Sequence, residues 1–337
     1  MKVLFDHSQP FLLAHGGLQI QIEETKRALE QIGVEIEFLR WWDAKQAGDI
    51  IHFFGRPWAT NIDLAHRKNI RVVMSELLTG LGSRSRAAIA LQRMIIGLTK
   101  KCAPSEFWVR MAWDAYARAD AIVALTDWEA QLMRDVFRAP GDRVTVIPNG
   151  VTTEFLSRPG PATPRGKLLV CAATITERKR ILETAQAAVR AGIPLRVLGK
   201  PYSEADPYAQ QFFVLAKEHP AMIRYEGAIE DRWQLAQIYR EARGFVLLST
   251  KESLSLSALE AAACECPLLL SDLPWARTAF RDAVRYCPVT TSTDKTAAAL
   301  RSFYDAAPGL KAPPKPRSWN EVAEQLKSLY LRVLTTR

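Results

Sequence analysis

The chain has 337 residues, and at roughly 100–200 residues per domain this predicts two domains, each able to bury its own core. Hydrophobic residues make up 48% and charged residues 24%, with 17 glycines and 19 prolines, which excludes disorder, collagen and coiled coil. The 45 Lys and Arg against 36 Asp and Glu leave a net charge of +9, which suits anionic partners without choosing among nucleotides, acidic lipid headgroups and nucleic acid.

The first apolar run, Val3 to Phe5, predicts a strand, and Asp6 with His7 interrupts it before a signal-peptide core can form. A loop ending in His15-Gly16-Gly17 follows. Leu18, Ile22, Leu29 and Ile32 then recur at helical spacing, with Gly33 as the stop. Further strands are expected at 35–39, 49–54, 71–75, 121–125 and 144–147, with a capping box at Thr126 and Glu129. Between Thr153 and Gly166, Pro159, Gly160, Pro161 and Pro164 read as a linker.

Beyond the linker the alternation restarts: strand 168–172, helix 181–191, strands 195–198 and 223–225, helix 233–241 and strand 245–249. Pro308, Pro313, Pro314 and Pro316 precede an amphipathic segment, Trp319 to Leu334. Strands alternating with helices imply an α/β protein of two Rossmann-like domains facing each other across a cleft. The expected domains are residues 1–155 and 165–317, with a C-terminal helix at about 318–337 available to pack back on the first. No apolar run approaches the ~18 residues of a spanning helix. Five cysteines without a C-x-x-C pair read as packing residues in a reducing, cytoplasmic setting.

In open α/β sheets ligands bind beyond the carboxyl ends of the strands, so the loops there carry the chemistry. Gly16-Gly17 before a helix permits close backbone approach to an anion such as a diphosphate; a plain glycine turn explains it equally well. The run Phe245 to Glu260 reads strand, small-residue loop, helix. Glu252 falls in the loop and Glu260 in the helix, with the backbone of Ser253, Leu254 and Ser255 between them available to phosphate or sugar oxygens. Alternatively, Ser257 and Glu260 form a capping box and Glu260 only caps. Arg178, Lys179 and Arg180 stand at the start of a helix, where cations oppose the helix dipole unless an anion lies between them.

Together these segments resemble glycosyltransferase family 4, the group 1 glycosyltransferases of GT-B fold. The resemblance rests on Gly16-Gly17, on Val146 to Val151, on Tyr225-Glu226-Gly227, on the two glutamates separated by seven residues, and on Glu260 to Pro267, which parallels the family's Glu-Ala-x-Ala-x-Gly-x-Pro run. It implies that Glu260 binds donor ribose and Glu252 lies beside the donor sugar. It also implies that Lys179 neutralises the donor diphosphate and that Gly227, Ala228 and Ile229 lie near the nucleobase. The chain departs from the pattern where Ala173-Thr174 replaces Gly-Arg, where Arg180 replaces glycine, and where Ser253 and Ser255 replace glycines. Arg178 is the candidate substitute for the missing arginine. Where many members carry a histidine, this chain has Ser75-Glu76; Glu76 is a candidate acceptor contact, as is His15, or else a loop carboxylate with no role.

No Asp-x-Asp triplet occurs and the histidines lack metal-ligand spacing, so no metal is expected. The resemblance implies a retaining, metal-independent hexosyltransferase using a UDP-, GDP- or ADP-sugar, with a glycan or lipid-linked acceptor and no cofactor. The rival reading is a degenerate GT-B subunit that binds a partner or nucleotide without catalysis. Residues 71–118 hold eight Lys and Arg against three Asp and Glu, interleaved with Met94, Ile95, Ile96, Phe107, Trp108, Met111 and Trp113. Such a face suits peripheral contact with anionic membrane or a lipid-linked acceptor; a core-packed helix pair with solvated charges is the competing reading. No RNP, zinc-finger or Lys/Arg-rich run supports a nucleic-acid partner.

Overall fold

Short apolar runs alternating with amphipathic helices build two six-stranded sheets, every strand pair within them parallel. The computed structural model describes residues 1–7, 10–12, 16–102, 111–157 and 164–335. The chain divides into two units, Met1–Asn149 with Trp319–Arg337, and Gly150–Ser318.

The first unit runs β1 (Lys2–His7), α1 (Gly17–Gln31), β2 (Glu35–Phe38), β3 (Ile50–Phe54), α2 (Ala59–Arg67), β4 (Arg71–Ser75), α3 (Arg86–Cys102), β5 (Ala121–Ala124), α4 (Asp127–Asp135) and β6 (Val144–Val146). Its sheet order is β2-β1-β3-β4-β5-β6. The four residues of β5 are all buried, as a strand covered by helices on both faces requires. Gly33, at φ +80°, closes α1: its amide donates to Glu30 O at 3.1 Å, and Val34 N donates to Leu29 O at 3.0 Å. Thr126 caps α4, with Oγ1 accepting from Glu129 N at 3.2 Å. The expected capping box closes differently, because the Glu129 carboxylate reaches Leu125 N at 3.1 Å and Leu78 N at 3.0 Å. Those are buried amides, which cost most when left unpaired.

The second unit runs β7 (Leu169–Ala172), α5 (Ile181–Ala191), β8 (Leu195–Leu198), α6 (Pro207–Glu218), β9 (Ile223–Tyr225), α7 (Arg232–Glu241), β10 (Gly244–Leu247), α8 (Leu256–Ala263), β11 (Leu268–Ser271), β12 (Arg285–Cys287) and α9 (Thr293–Ala306). The order β12-β11-β10-β7-β8-β9 is the doubly wound Rossmann arrangement, with its switch between β7 and β10. Strands β11 and β12 and helices α6 and α9 are absent from the sequence expectations. The two strands have four and three residues, too few to show a period.

Helix α10 (Trp319–Thr335) belongs to the first unit, burying Trp319, Val322, Leu326, Leu329 and Val333. Its Lys327 Nζ donates to Ile32 O at 2.7 Å, and its Tyr330 OH lies 2.6 Å from His52 Nδ1. The unit boundary falls at Asn149, ahead of the proline-rich stretch. The turn Thr153–Leu156 belongs to the second unit, where Phe155 is buried and Arg240 Nη2 donates to Glu154 O at 2.6 Å. Cys171, Cys264, Cys266 and Cys287 are buried, but Cys102 is exposed and corrects the expectation that all five are packing residues. Burial pushes the thiols of Cys171, Cys264 and Cys266 up to about 12.

Candidate functional site

At the switch point of the second sheet, the loop after β7 meets the loop after β10. Thr250 N donates to Arg178 O at 2.9 Å and joins them. Glu252 Oε1 accepts from Arg178 Nη1 at 3.1 Å and from Lys179 Nζ, while Arg178 Nη1 also donates to Lys251 O at 2.9 Å. The anion that the cation run called for is thus a side chain of the protein itself. Glu252 is only 7% exposed, so a nearly dry carboxylate is held by two cations.

Glu177–Lys179 forms a single 3₁₀ turn and Arg180 follows in the left-handed region (φ 53°, ψ 42°), so Arg178 and Lys179 stand ahead of α5 and not within its first turn. A glycine would sit at position 180 without strain. Arg180 is buried there, and its Nη2 donates to Thr290 O at 2.6 Å. One amide at the start of α5, Leu182 N, already donates to Tyr208 OH at 2.9 Å. Two hydroxyl oxygens beside these loops, Thr176 Oγ1 and Ser249 Oγ, are buried without a hydrogen-bond partner.

The ends of β7, β8 and β9 converge on glycines. Gly199 has φ +128°, and a Cβ there would lie 2.0 Å from Ala173 O. Its amide donates to Gly227 O at 2.7 Å. Gly227 has φ +70° and nothing within 4 Å of where a Cβ would stand, with Ala228 exposed and Ile229 half-buried beside it.

Ser253, Leu254 and Ser255 are buried. Ser255 caps α8, its Oγ accepting from Ala258 N at 3.4 Å. Of the two readings open for Glu260, the capping box at Ser257 does not form, and Glu260 stands deeper in the helix. Its Oε1 accepts from Arg232 Nη1 at 3.0 Å, and Tyr239 OH makes a longer 3.5 Å approach to Oε2. Burial, reinforced by Glu260, raises the Tyr239 hydroxyl well above its ordinary range, so it stays protonated. Sequence reasoning missed Arg232 and Tyr239. Their spacing of seven residues on α7 puts them on one face and was the available signal.

In the first unit the strand order reverses between β1 and β3. Gly16, at φ 145° and ψ −160°, occupies the N-cap of α1 without a capping side chain, and Gly17 begins the helix. His15 lies outside the described residues. Glu76 accepts from Arg56 Nε and Nη2, both at 2.8 Å, and from Tyr116 OH at 2.5 Å. The Arg56 guanidinium also lies over the rings of Tyr116 and Phe137, at 5.2 and 4.7 Å. Both Glu76 oxygens are thereby committed within the unit. Asp6, at the carboxyl end of β1, has its carboxyl raised by burial against the lowering effect of His7. It was overlooked because a lone aspartate after a strand carries no spacing signal.

Among the described residues, no group of three or more His, Cys, Asp or Glu side chains is placed to hold a metal ion, and no helix is long and apolar enough to cross a membrane.

Residues 153–325 match the family described as glycosyl transferases group 1, and residues 15–155 match glycosyltransferase family 4. One curated relative, a D-inositol 3-phosphate glycosyltransferase of Acidothermus cellulolyticus, is 30% identical over 190 residues, covering 50% of this chain and 42% of that protein. Another of the same name, from Kineococcus radiotolerans, is 29% identical over 255 residues, covering 65% and 58%. The chain thus spans about half the length of these relatives. Among solved structures, sucrose-phosphate synthase from Thermosynechococcus elongatus aligns with a TM-score of 0.66 at 17% identity over 98% of both chains. HepE from Anabaena in complex with UDP aligns with a TM-score of 0.66 at 13% identity over 98% of this chain and 100% of that one. These likenesses establish the GT-B type of fold.

Proposed function

Since this chain belongs to the group 1 glycosyltransferases, we propose that it transfers a hexose-type sugar from a nucleoside-diphosphate sugar to a glycan or lipid-linked acceptor. The donor is assigned to the second unit and the acceptor to the first. The observation that carries this reading is the pairing of Glu252 with Lys179 and Arg178 at the switch point, with Glu260 fixed by Arg232 on the adjoining helix. Relatives named as glycosyltransferases and a structural neighbour crystallised with UDP-glucose support it.

In this scheme Glu260 accepts the ribose hydroxyl protons and the loop at Gly227, Ala228 and Ile229 lies against the base. Two cations balanced by one carboxylate leave positive charge for the diphosphate, supplemented by the amides at the starts of α5 and α8. Glu252 orients the donor sugar. The acceptor oxygen bonds to the anomeric carbon as the bond to the diphosphate breaks, and the departing phosphate takes the acceptor proton, on the same face, so configuration is retained. Protein cations supply the charge that a divalent ion would otherwise bring, and no cofactor is required. Free cysteines suit a cytoplasmic setting.

The test is incubation with UDP-, GDP- and ADP-hexoses and glycan or lipid acceptors in a chelating buffer, measuring nucleoside diphosphate release and the product anomer by NMR. Turnover of one donor with an unchanged anomer is expected. An inverted product would overturn retention, activity abolished by chelation would overturn metal independence, and no release from any pair would overturn transfer.

A further inference from the structure

Met94 and Ile95 stand exposed on α3 while Ile96 and Trp113 are buried, and Phe107 and Trp108 lie outside the described residues. Nothing among the described residues shows what covers that exposed face.

In the second unit, Glu252 already holds the two cations assigned to the donor diphosphate. Its Oε1 accepts from Arg178 Nη1 at 3.1 Å and from Lys179 Nζ. The side chains of Lys179 and Arg178 are 13% and 40% exposed against 8% for Glu252, so an anion arriving from solvent meets the cations first. It meets them already facing a carboxylate, and a diphosphate added beside that carboxylate sets like charges together where the local dielectric is low. Phosphate and carboxylate therefore compete for Lys179 and Arg178.

The exchange is local. Thr250 N and Oγ1 donate to Arg178 O at 2.9 and 3.3 Å, and Lys179 N donates to Thr176 O at 3.0 Å, so the main chain of both loops is tied without Glu252. What can change partners is the carboxylate and the flexible lysine stem. A buried carboxylate deprived of its cations is strongly unfavourable unless other donors replace them. A hexose on the diphosphate brings such donors in its hydroxyl groups. A free nucleoside diphosphate brings none and carries about one more negative charge, because its terminal phosphate has a second pKa of about 6.

We propose that Glu252 biases the site toward the sugar-bearing nucleotide and against its nucleoside diphosphate product, by yielding Lys179 and Arg178 only where sugar hydroxyls take their place. The proposal rests on the transfer reading. Once the sugar has moved to the acceptor, Glu252 returns to the cations and loosens the diphosphate they hold.

The experiment is isothermal titration of the full chain, wild type and Glu252→Gln, with UDP, GDP and ADP and with the glucose, galactose and mannose conjugates of each. Each diphosphate is also titrated in an excess of the same free hexoses. The amide of the variant matches the carboxylate in shape and does not compete for the cations. For the nucleotide that binds, Glu252→Gln should hold the diphosphate about tenfold tighter than wild type does, and the affinity of the sugar nucleotide relative to the diphosphate should fall about tenfold or more. One free hexose should tighten the diphosphate in wild type, a measurement that needs no substitution to fold, and should leave Glu252→Gln unchanged. Diphosphate bound equally or more weakly by Glu252→Gln overturns the proposal, because the carboxylate then only holds the cations in place. So does a wild-type affinity indifferent to all three hexoses. Wild type that binds none of the nucleotides removes the transfer reading as well.

Discussion

Glu252 and Lys179, 73 residues apart in the chain, meet through a hydrogen bond from the lysine ammonium to Glu252 Oε1. Two loops from neighbouring strands are thereby fixed in one arrangement by opposite charges, and both charges face the place where a diphosphate is proposed to lie. Lys179→Ala should lower transfer roughly ten- to a hundredfold, the loss of one charge-assisted hydrogen bond of about 1.5–3 kcal/mol. Because the same substitution unbalances Glu252, Lys179→Ala combined with Glu252→Ala should cost less than the product of the separate effects, measured as initial rates of nucleoside diphosphate release.

Arg232 is a positioning residue, since it acts through Glu260. Arg232→Ala should raise the donor KM about tenfold with kcat within about twofold, because the ribose contact is the same in ground and transition states. Arg232→Lys should restore part of the affinity. A kcat that falls as far as kcat/KM would place Arg232 elsewhere in the mechanism.

Gly199 and Gly227 separate a close approach from a conformational preference. Gly199→Ala places a methyl group 2.0 Å from the Ala173 carbonyl oxygen and should destabilise by about 3 kcal/mol or more. Gly227→Ala meets no atom within 4 Å and pays only for its positive φ, about 1–2 kcal/mol. Urea unfolding of the two variants beside wild type gives the comparison.

His52 is buried between Tyr330 OH and Ser75 Oγ, at 2.6 and 2.7 Å, and burial lowers its pKa from 6.5 to about 3. The unfolded chain takes up this proton below about pH 6.5, while the folded chain refuses it until about pH 3. The stability it contributes is therefore complete above pH 6.5 and declines as pH falls through that window, by up to about 1.4 kcal/mol per pH unit. Unfolding free energies at about pH 7.5 and about pH 5 should show a shallower slope for His52→Gln than for wild type. Equal slopes would assign the acid sensitivity to other groups.

Much of this architecture is legible in the sequence. Helix 181–191 and strands 195–198 and 223–225 have the extents that their apolar spacing indicates, because each buries one regular face. Strands β11 and β12 were not legible, since four leucine-rich residues after Pro267 and three residues after Val284 carry no period of their own and are strands only because a neighbouring edge pairs with them. At the site, Glu252, Lys179 and Arg178 were found as residue types, but their direct contact was not, since it joins loops from different strands. For Glu260 the spacing leaves a ligand contact and a cap equally open, because Ser257 stands three positions before it. The extended backbone of Ser255 and its hydroxyl cap on Ala258 N show where the helix begins.

The most direct measurement is the thermal unfolding of wild type and Lys179→Ala with UDP, GDP and ADP at concentrations near 100 times the dissociation constant, where a specific ligand stabilises by about 2.7 kcal/mol. One of the three nucleotides should raise the wild-type transition and raise that of Lys179→Ala distinctly less. A wild-type transition unmoved by all three, or moved equally in both proteins, would contradict a diphosphate held at this lysine.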